Sequence, residues 1–157
     1  MDSNKSEQPA GSPRDDAPWS APAPRWFWLV VGLCCLWNLL GAADYTLTNL
    51  RVAPYMAQMP PAMIRFIEQL PYWVVGAWAL GVWGSVVGSL LMLMRVRHAA
   101  IAYALSFAGA VGALTWEYAH GAQQAGGGFA PMAALLLVAI LFQLWFSRQM
   151  FWRGVLR

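Results

Sequence analysis

The sequence predicts an all-α, polytopic membrane protein: a bundle of four transmembrane helices with a short extracytoplasmic helix between the first and the second. Three observations lead there. Of 157 residues, 59% are apolar and only 11% are charged, against roughly 45–50% and about 25% in soluble domains. The apolar residues fall in four long blocks separated by polar or charged stretches, more apolar surface than a soluble core of this length hides from water. The arginines gather at the block ends, where membrane orientation places them.

Residues 1–24 carry Pro9, Pro13, Pro18, Pro22 and Pro24 among Ser, Asp and Glu. With almost nothing aliphatic to bury, they predict a disordered cytoplasmic tail ahead of a membrane domain over 25–157. A conventional secretory signal is not expected, because the first apolar stretch begins only at Trp26 and no compact basic segment precedes it.

The first span covers about 26–43, with Arg25 before it and Asp44 after it, and its helix continues toward Leu50. At about 1.5 Å per residue this just crosses the hydrocarbon. The second, 72–94, starts after Pro71 and stops against Arg95 and Arg97. The third, about 99–116, ends at Glu117, and the fourth, about 129–146, has Pro131 in its first turn, where a missing N–H does no harm. Gly126, Gly127 and Gly128 mark the turn between these two. Between the first two spans, the stretch from Pro60 to Pro71 places Ile64, Ile67 and Leu70, or Met63, Phe66 and Leu70, on one side of a short helix bounded by prolines. That helix is expected on the outer surface of the bundle.

An N-terminus inside puts Lys5, Arg14, Arg25, Arg95, Arg97, Arg148, Arg153 and Arg157 in the cytoplasm and leaves only Arg51 and Arg65 outside. The positive-inside bias selects this orientation, with both termini cytoplasmic. Trp26, Trp28, Trp145 and Trp152 then form an inner aromatic belt and Tyr45, Tyr72, Trp73, Trp116 and Tyr118 an outer one. The net charge of +3 is dispersed over these ends, which speaks for the lipid bilayer as partner and against nucleic acid.

Few residues are able to carry chemistry. The second span has small residues at Gly81, Gly84, Ser85 and Gly88, a pattern that lets helices approach closely in lipid. It predicts packing inside the bundle against Ala104, Ala108 and Gly112, or Ala102, Ser106 and Ala110, of the third span. Homodimerisation through the same face, or contact with another membrane protein, is the alternative. Asn38 shares a face with Gly41, Tyr45 and Thr48. It needs a hydrogen-bond partner in a neighbouring helix, or it belongs to a small polar cavity walled by Trp37, Trp78 and Trp83. Asp44 and Glu117 stand at the outer ends of the odd-numbered spans, where interfacial solvation or pairing with Arg51 or Arg65 explains them structurally and a solute site explains them functionally.

Glu117 and His120 form a single Glu-x-x-His, too few ligands for a di-metal bundle, so no metal is expected. Adjacent Cys34 and Cys35 disfavour an intrachain disulfide and read as small apolar residues. Without a catalytic triad order, a phosphate-cradling loop or a haem-binding pair, no cofactor and no enzymatic activity are expected.

Trp37-Asn38 with Gly41, Asp44-Tyr45 with Thr48, Pro71-Tyr72-Trp73, Trp78 with Trp83-Gly84-Ser85, and the run from Gly88 to Arg95 carry a further signal. Across about 26–120, and most specifically in the second span, the chain resembles a group of small bacterial four-helix membrane proteins whose members are labelled hypothetical or "sugar transporter". The resemblance implies a bacterial inner-membrane location and the same four spans; no family motif assigns substrate-binding residues. Tight-packing stripes, few polar groups and a flexible tail point first to a non-enzymatic interaction or accessory subunit. The alternative is a small-solute transporter working as an oligomer through Asn38, Asp44 and Glu117.

Overall fold

The structure, a computed structural model, describes residues 22–122 and 129–157, apart from the side chain of Phe129. The turn expected at Gly126–Gly128 and all but the last three residues of the expected tail lie outside them. Every regular element described is helical: α1 (Arg25–Asn49), α2 (Ala53–Met56), α3 (Pro61–Glu68), α4 (Tyr72–Leu93), α5 (Ala99–Ala119) and α6 (Phe129–Trp152). Four of these, α1, α4, α5 and α6, are long and apolar enough to cross a membrane, as the hydropathy blocks predict. With 25 residues, α1 is about 37 Å long and outruns a hydrocarbon core of about 30 Å, so its last turns, beyond the expected span, extend past it.

Prolines and tight caps set the boundaries. Pro24, Pro60 and Pro71 precede α1, α3 and α4 in extended or polyproline-like conformation, where the absent N–H breaks no helical bond. Both α1 and α4 end in paired capping bonds: Val52 N donates to Leu47 O and Arg51 N to Thr48 O, and likewise Val96 N to Leu91 O and Arg95 N to Met92 O. The turning residue in each is an arginine with positive φ, Arg51 at 49° and Arg95 at 58°, where glycine is the usual occupant.

α4 is the centre of the bundle, packed on α1 along one side and on α5 along the other, and α5 in turn packs on α6. The α4–α5 contact is backbone-close. A Cβ on Gly81 would meet Ala110 N at 3.1 Å, one on Gly84 would meet Ser106 Cβ at 3.0 Å, and one on Gly88 would meet the Tyr103 ring at 2.8 Å. From the other side, a Cβ on Gly109 would stand 2.6 Å from Ala77 O. The Ser106 hydroxyl adds a hydrogen bond to Gly81 O. Of the two candidate stripes on α5, that of Ser106 and Ala110 faces α4, whereas Ala104 and Ala108 do not meet these glycines. The small-residue face of α4 is thus filled within the chain. Ser85 lies off this seam, with its hydroxyl returned to Val82 O at 2.7 Å.

α1 and α6 close the ring through long side chains, Phe146 meeting Phe27 and Trp26 at centroid distances of 6.1 and 5.9 Å. Outward-facing Leu29, Leu33, Leu36 and Leu39 on α1, and Leu90 on α4, are all exposed in the isolated chain, a surface suited to lipid rather than water.

The two ends of the bundle are packed differently. At the Arg95 end, Phe27, Val31, Met92, Tyr103, Phe146 and Met150 form a buried core. The chain end folds back to seal it. Gly154, at φ 69°, turns the backbone, Val155 and Leu156 enter the core, Arg97 N donates to Arg157 O and Arg157 N to Arg95 O, both at 2.7 Å, and Arg95 Nε donates to Val155 O at 2.8 Å. The Asp44 end is hollow.

Candidate functional site: a chamber in half of the bundle

A cavity of about 710 Å³ occupies the Asp44 half of the bundle. Each long helix contributes a wall: Trp37 and Gly41 from α1, Trp78 and Val82 from α4, Ala113 and Leu114 from α5, Leu136 and Ile140 from α6. The helix expected on the bundle surface roofs it, for α3 turns Met63, Phe66 and Ile67 toward the chamber, joined by Leu70 just past its end, and leaves Arg65 outside the lining and Glu68 on the exposed side. The α3 pattern thus divides an apolar side from a charged one, and the apolar side covers the hollow.

Beneath the chamber lies a polar layer built from all four long helices, of which Asn38 and Ser85 reach the lining. Asn38 Nδ2 donates to Ser89 Oγ and to Gln143 Oε1, each at 2.7 Å, and approaches Ser85 O at 3.1 Å. Ser89 Oγ donates to Ser85 O at 3.0 Å; its single proton being so used, the Tyr103 phenol, 3.0 Å away, donates to it. Asn38, Ser89, Tyr103 and Gln143 are all buried, and together they satisfy one another where no water competes. Asn38 thus has its interhelical partners and also lines the chamber.

Two carboxylates line the same space, Asp44 from α1 and Glu117 from α5. Among the described residues they are the only ionisable groups in the wall. Neither pairs with Arg51 or Arg65 as the sequence suggests: Arg51 reaches Glu68 at 3.3 Å, with both side chains largely exposed. Asp44 instead accepts a hydrogen bond from the Tyr55 hydroxyl of α2, and among the described residues Glu117 has no ion pair. The reason is geometric. Arg51 sits past the end of α1 beside α3, about 10 Å of helix rise from Asp44. The hydrogen bond to Asp44 is also the main reason the Tyr55 phenol is pushed up to about 12, with burial and the carboxylate's charge adding to it.

Thr48, one turn beyond Asp44, is a wall residue only 2% exposed. Its hydroxyl has no hydrogen-bond partner among the described residues, whereas Thr46 nearby donates to Ala42 O at 2.6 Å.

Of the expected aromatic walls, Trp37 and Trp78 face the chamber and Trp83 faces away, 46% exposed. Tyr45 packs edge-on against Trp78 at 5.0 Å instead of lining the space. His120 caps α5 and stacks on Trp116 at 4.0 Å, so it and Glu117 do not converge. Among the described residues no three His, Cys, Asp or Glu side chains group as metal ligands. Cys34 and Cys35 are free thiols.

A second, lateral groove of about 370 Å³ runs between α1 and α6 past Leu33, Phe142 and Gln143, and it shares Trp37 and Leu40 with the chamber. Sequence reasoning missed Gln143, Tyr103 and Gly109. The signal for the first two is the one that singles out Asn38, a lone hydrogen-bonding side chain inside an apolar span. No family model, curated protein or solved structure matches the chain.

Proposed function

We propose that the chain is a non-enzymatic, multi-pass protein of a bacterial inner membrane that receives a small solute with an apolar body in the half-bundle chamber, as the binding site of a transporter. The chamber itself carries this reading: its volume lies in the range of small-molecule sites, roughly 300–1,000 Å³, and it is walled by four helices and roofed by a fifth. An accessory subunit held together only by packing has no use for such a hollow. The solid Arg95 half, closed by Phe27, Met92 and Met150, blocks the way through, as a resting state open to one side requires. With the arginine bias deciding orientation, the chamber opens to the outside. Reporters fused near Gln58 are then external, and those after Arg97 or at Arg157 cytoplasmic.

The sugar label attached to the resembling proteins fits this wall poorly. A sugar needs many free hydrogen-bonding groups, and here Asn38 and Ser85 are already engaged with their neighbours. Oligomerisation concerns the route beyond the site, since one chain supplies the whole chamber.

The test uses the full chain in lipid nanodiscs with the neutral dye Nile red. Saturable, blue-shifted binding above that of empty nanodiscs is expected. Gly41→Trp should remove it, because Gly41 lines the chamber and a Cβ there meets nothing within 4 Å, so the indole enters open space. Ala133→Phe, from the α6 wall, guards against a local fault. Binding that is unsaturable, or unchanged in both folded variants, overturns the proposal.

A further inference from the structure

We infer that the chamber selects an organic cation, an ammonium, phosphonium or guanidinium group on an aromatic or aliphatic body, with Glu117 as its principal counter-charge. The inference deepens the receptacle reading and rests on it. The sign of the wall carries the charge preference, and an unpartnered hydroxyl in the same wall adds to the case for a polar ligand.

Asp44 and Glu117 are acidic, and among the described residues no Lys, Arg or His shares the lining with them. On the roof side, Arg51 is engaged with Glu68, and Arg65 of α3 lies outside the lining. A charge in low-dielectric surroundings is tolerated when an opposite charge meets it. An anion entering here would meet two like charges, whereas a cation would supply the partner that Glu117 lacks within the described chain. Asp44, exposed and already accepting from Tyr55, is the weaker of the two.

The Thr48 hydroxyl, in the wall and 2% exposed, makes no hydrogen bond among the described residues, and a group left so in an apolar surround is costly. Such a hydroxyl both donates and accepts, so it marks a polar spot in the wall without setting the sign of a ligand's charge.

The remaining wall suits the body of such a ligand and excludes other cations. Trp37, Trp78 and Phe66 offer ring faces that attract cations, and Met63, Leu136 and Ile140 offer apolar surface. A bare metal ion is a poor occupant of about 710 Å³ of largely apolar space, because it needs several oxygen or nitrogen ligands at close range and no such group forms among the described residues.

The experiment compares two ions of nearly equal shape and opposite charge, tetraphenylphosphonium and tetraphenylborate, on the full chain in nanodiscs at pH 8. Each is referred to empty nanodiscs, and Nile red serves as the neutral probe. Tetraphenylphosphonium is expected to bind saturably and at least tenfold more tightly than tetraphenylborate. Glu117→Gln should weaken it tenfold or more, and Asp44→Asn should weaken it less. Both variants should keep thermal midpoints close to that of the wild type, which shows that the bundle still forms. If Nile red binds and Gly41→Trp removes it, while the two ions bind alike or Glu117→Gln leaves phosphonium binding unchanged, the charge selectivity is wrong and the receptacle stands. If no probe binds, both fail.

Discussion

Asn38 on α1 and Gln143 on α6 form a reciprocal amide pair, Asn38 Nδ2 donating to Gln143 Oε1 at 2.7 Å and Gln143 Nε2 to Asn38 Oδ1 at 3.4 Å. The pair joins the two helices that close the ring, at the level where the solid half of the bundle gives way to the hollow one. It holds the floor of the chamber by polar contact where small-residue packing is absent. Asn38→Ala should leave Gln143 and Ser89 short of a partner and destabilise the fold by about 1–2 kcal/mol, the upper range for interhelical hydrogen bonds in lipid. In a double-mutant cycle with Gln143→Ala, the two losses should be less than additive. Reversible unfolding in mixed micelles measures this, and strict additivity would show that the pair contributes nothing of its own.

The glycines on the α4–α5 seam differ sharply from those facing lipid. Gly109→Ala should cost about 1–3 kcal/mol, because its Cβ would press on Ala77 O at 2.6 Å and Gly81 N at 2.8 Å, both backbone atoms that cannot rotate away. Gly88→Ala should be milder, since the atoms in its way belong to the Tyr103 side chain, though turning that ring would strain its bond to Ser89. Gly32→Ala and Gly76→Ala meet nothing within 4 Å and should be neutral or slightly stabilising. Thermal midpoints of the purified variants rank them, and a Gly109→Ala protein as stable as Gly76→Ala would refute the seam.

The last residues act as a clasp on the α4–α5 connection. Removing residues 154–157 breaks the backbone bonds of Arg157 to residues 95 and 97 and uncovers the core at Leu156, which is 1% exposed. Leu156→Ala alone should cost about 2–3 kcal/mol, at the low end for a buried leucine. The deletion should cost more, with protease sensitivity appearing first near Arg97. Unchanged stability in the deletion would mean that the clasp adds nothing to the packing above it.

How much of the molecule is legible in the chain follows from how local each signal is. The long helices are written in apolar blocks whose ends are marked by prolines and arginines, so hydropathy and spacing alone yield the four spans and the helix at Pro61. The stripe at Gly81, Gly84 and Gly88 is legible for the same reason, since helical spacing puts these residues on one face. Its partner on α5 stays divided between two stripes in the sequence, because the rotation of α5 depends on tertiary packing, and Gly109 belongs to neither stripe. Asp44 and Glu117 stand out as rare charges at span ends, but their surroundings do not: Tyr55 reaches Asp44 only because the chain turns back after Arg51. The chamber is the least legible feature, a void left where four walls and the α3 roof fail to meet, and no single segment encodes it.

The Tyr55–Asp44 contact makes a final prediction about alkaline pH. Because the Tyr55 phenol is held up to about 12 from an ordinary value of 10.0, the folded protein binds its proton more tightly than the unfolded chain does. Stability then falls with pH wherever the folded state holds more protons. The contribution of this contact is therefore complete below pH 10 and is lost as pH climbs through 12. The contact is solvent-exposed, so it should amount to less than about 1 kcal/mol. Thermal midpoints of the wild type and Tyr55→Phe, measured side by side from pH 8 to 12, isolate this phenol from the other tyrosines, which both proteins share. The wild type should lead at pH 8 and the curves should converge as pH rises from 10 to 12. Parallel curves across that window would show that Asp44 does not hold the Tyr55 proton, and that the α1–α2 corner beside the chamber mouth is kept by its backbone alone.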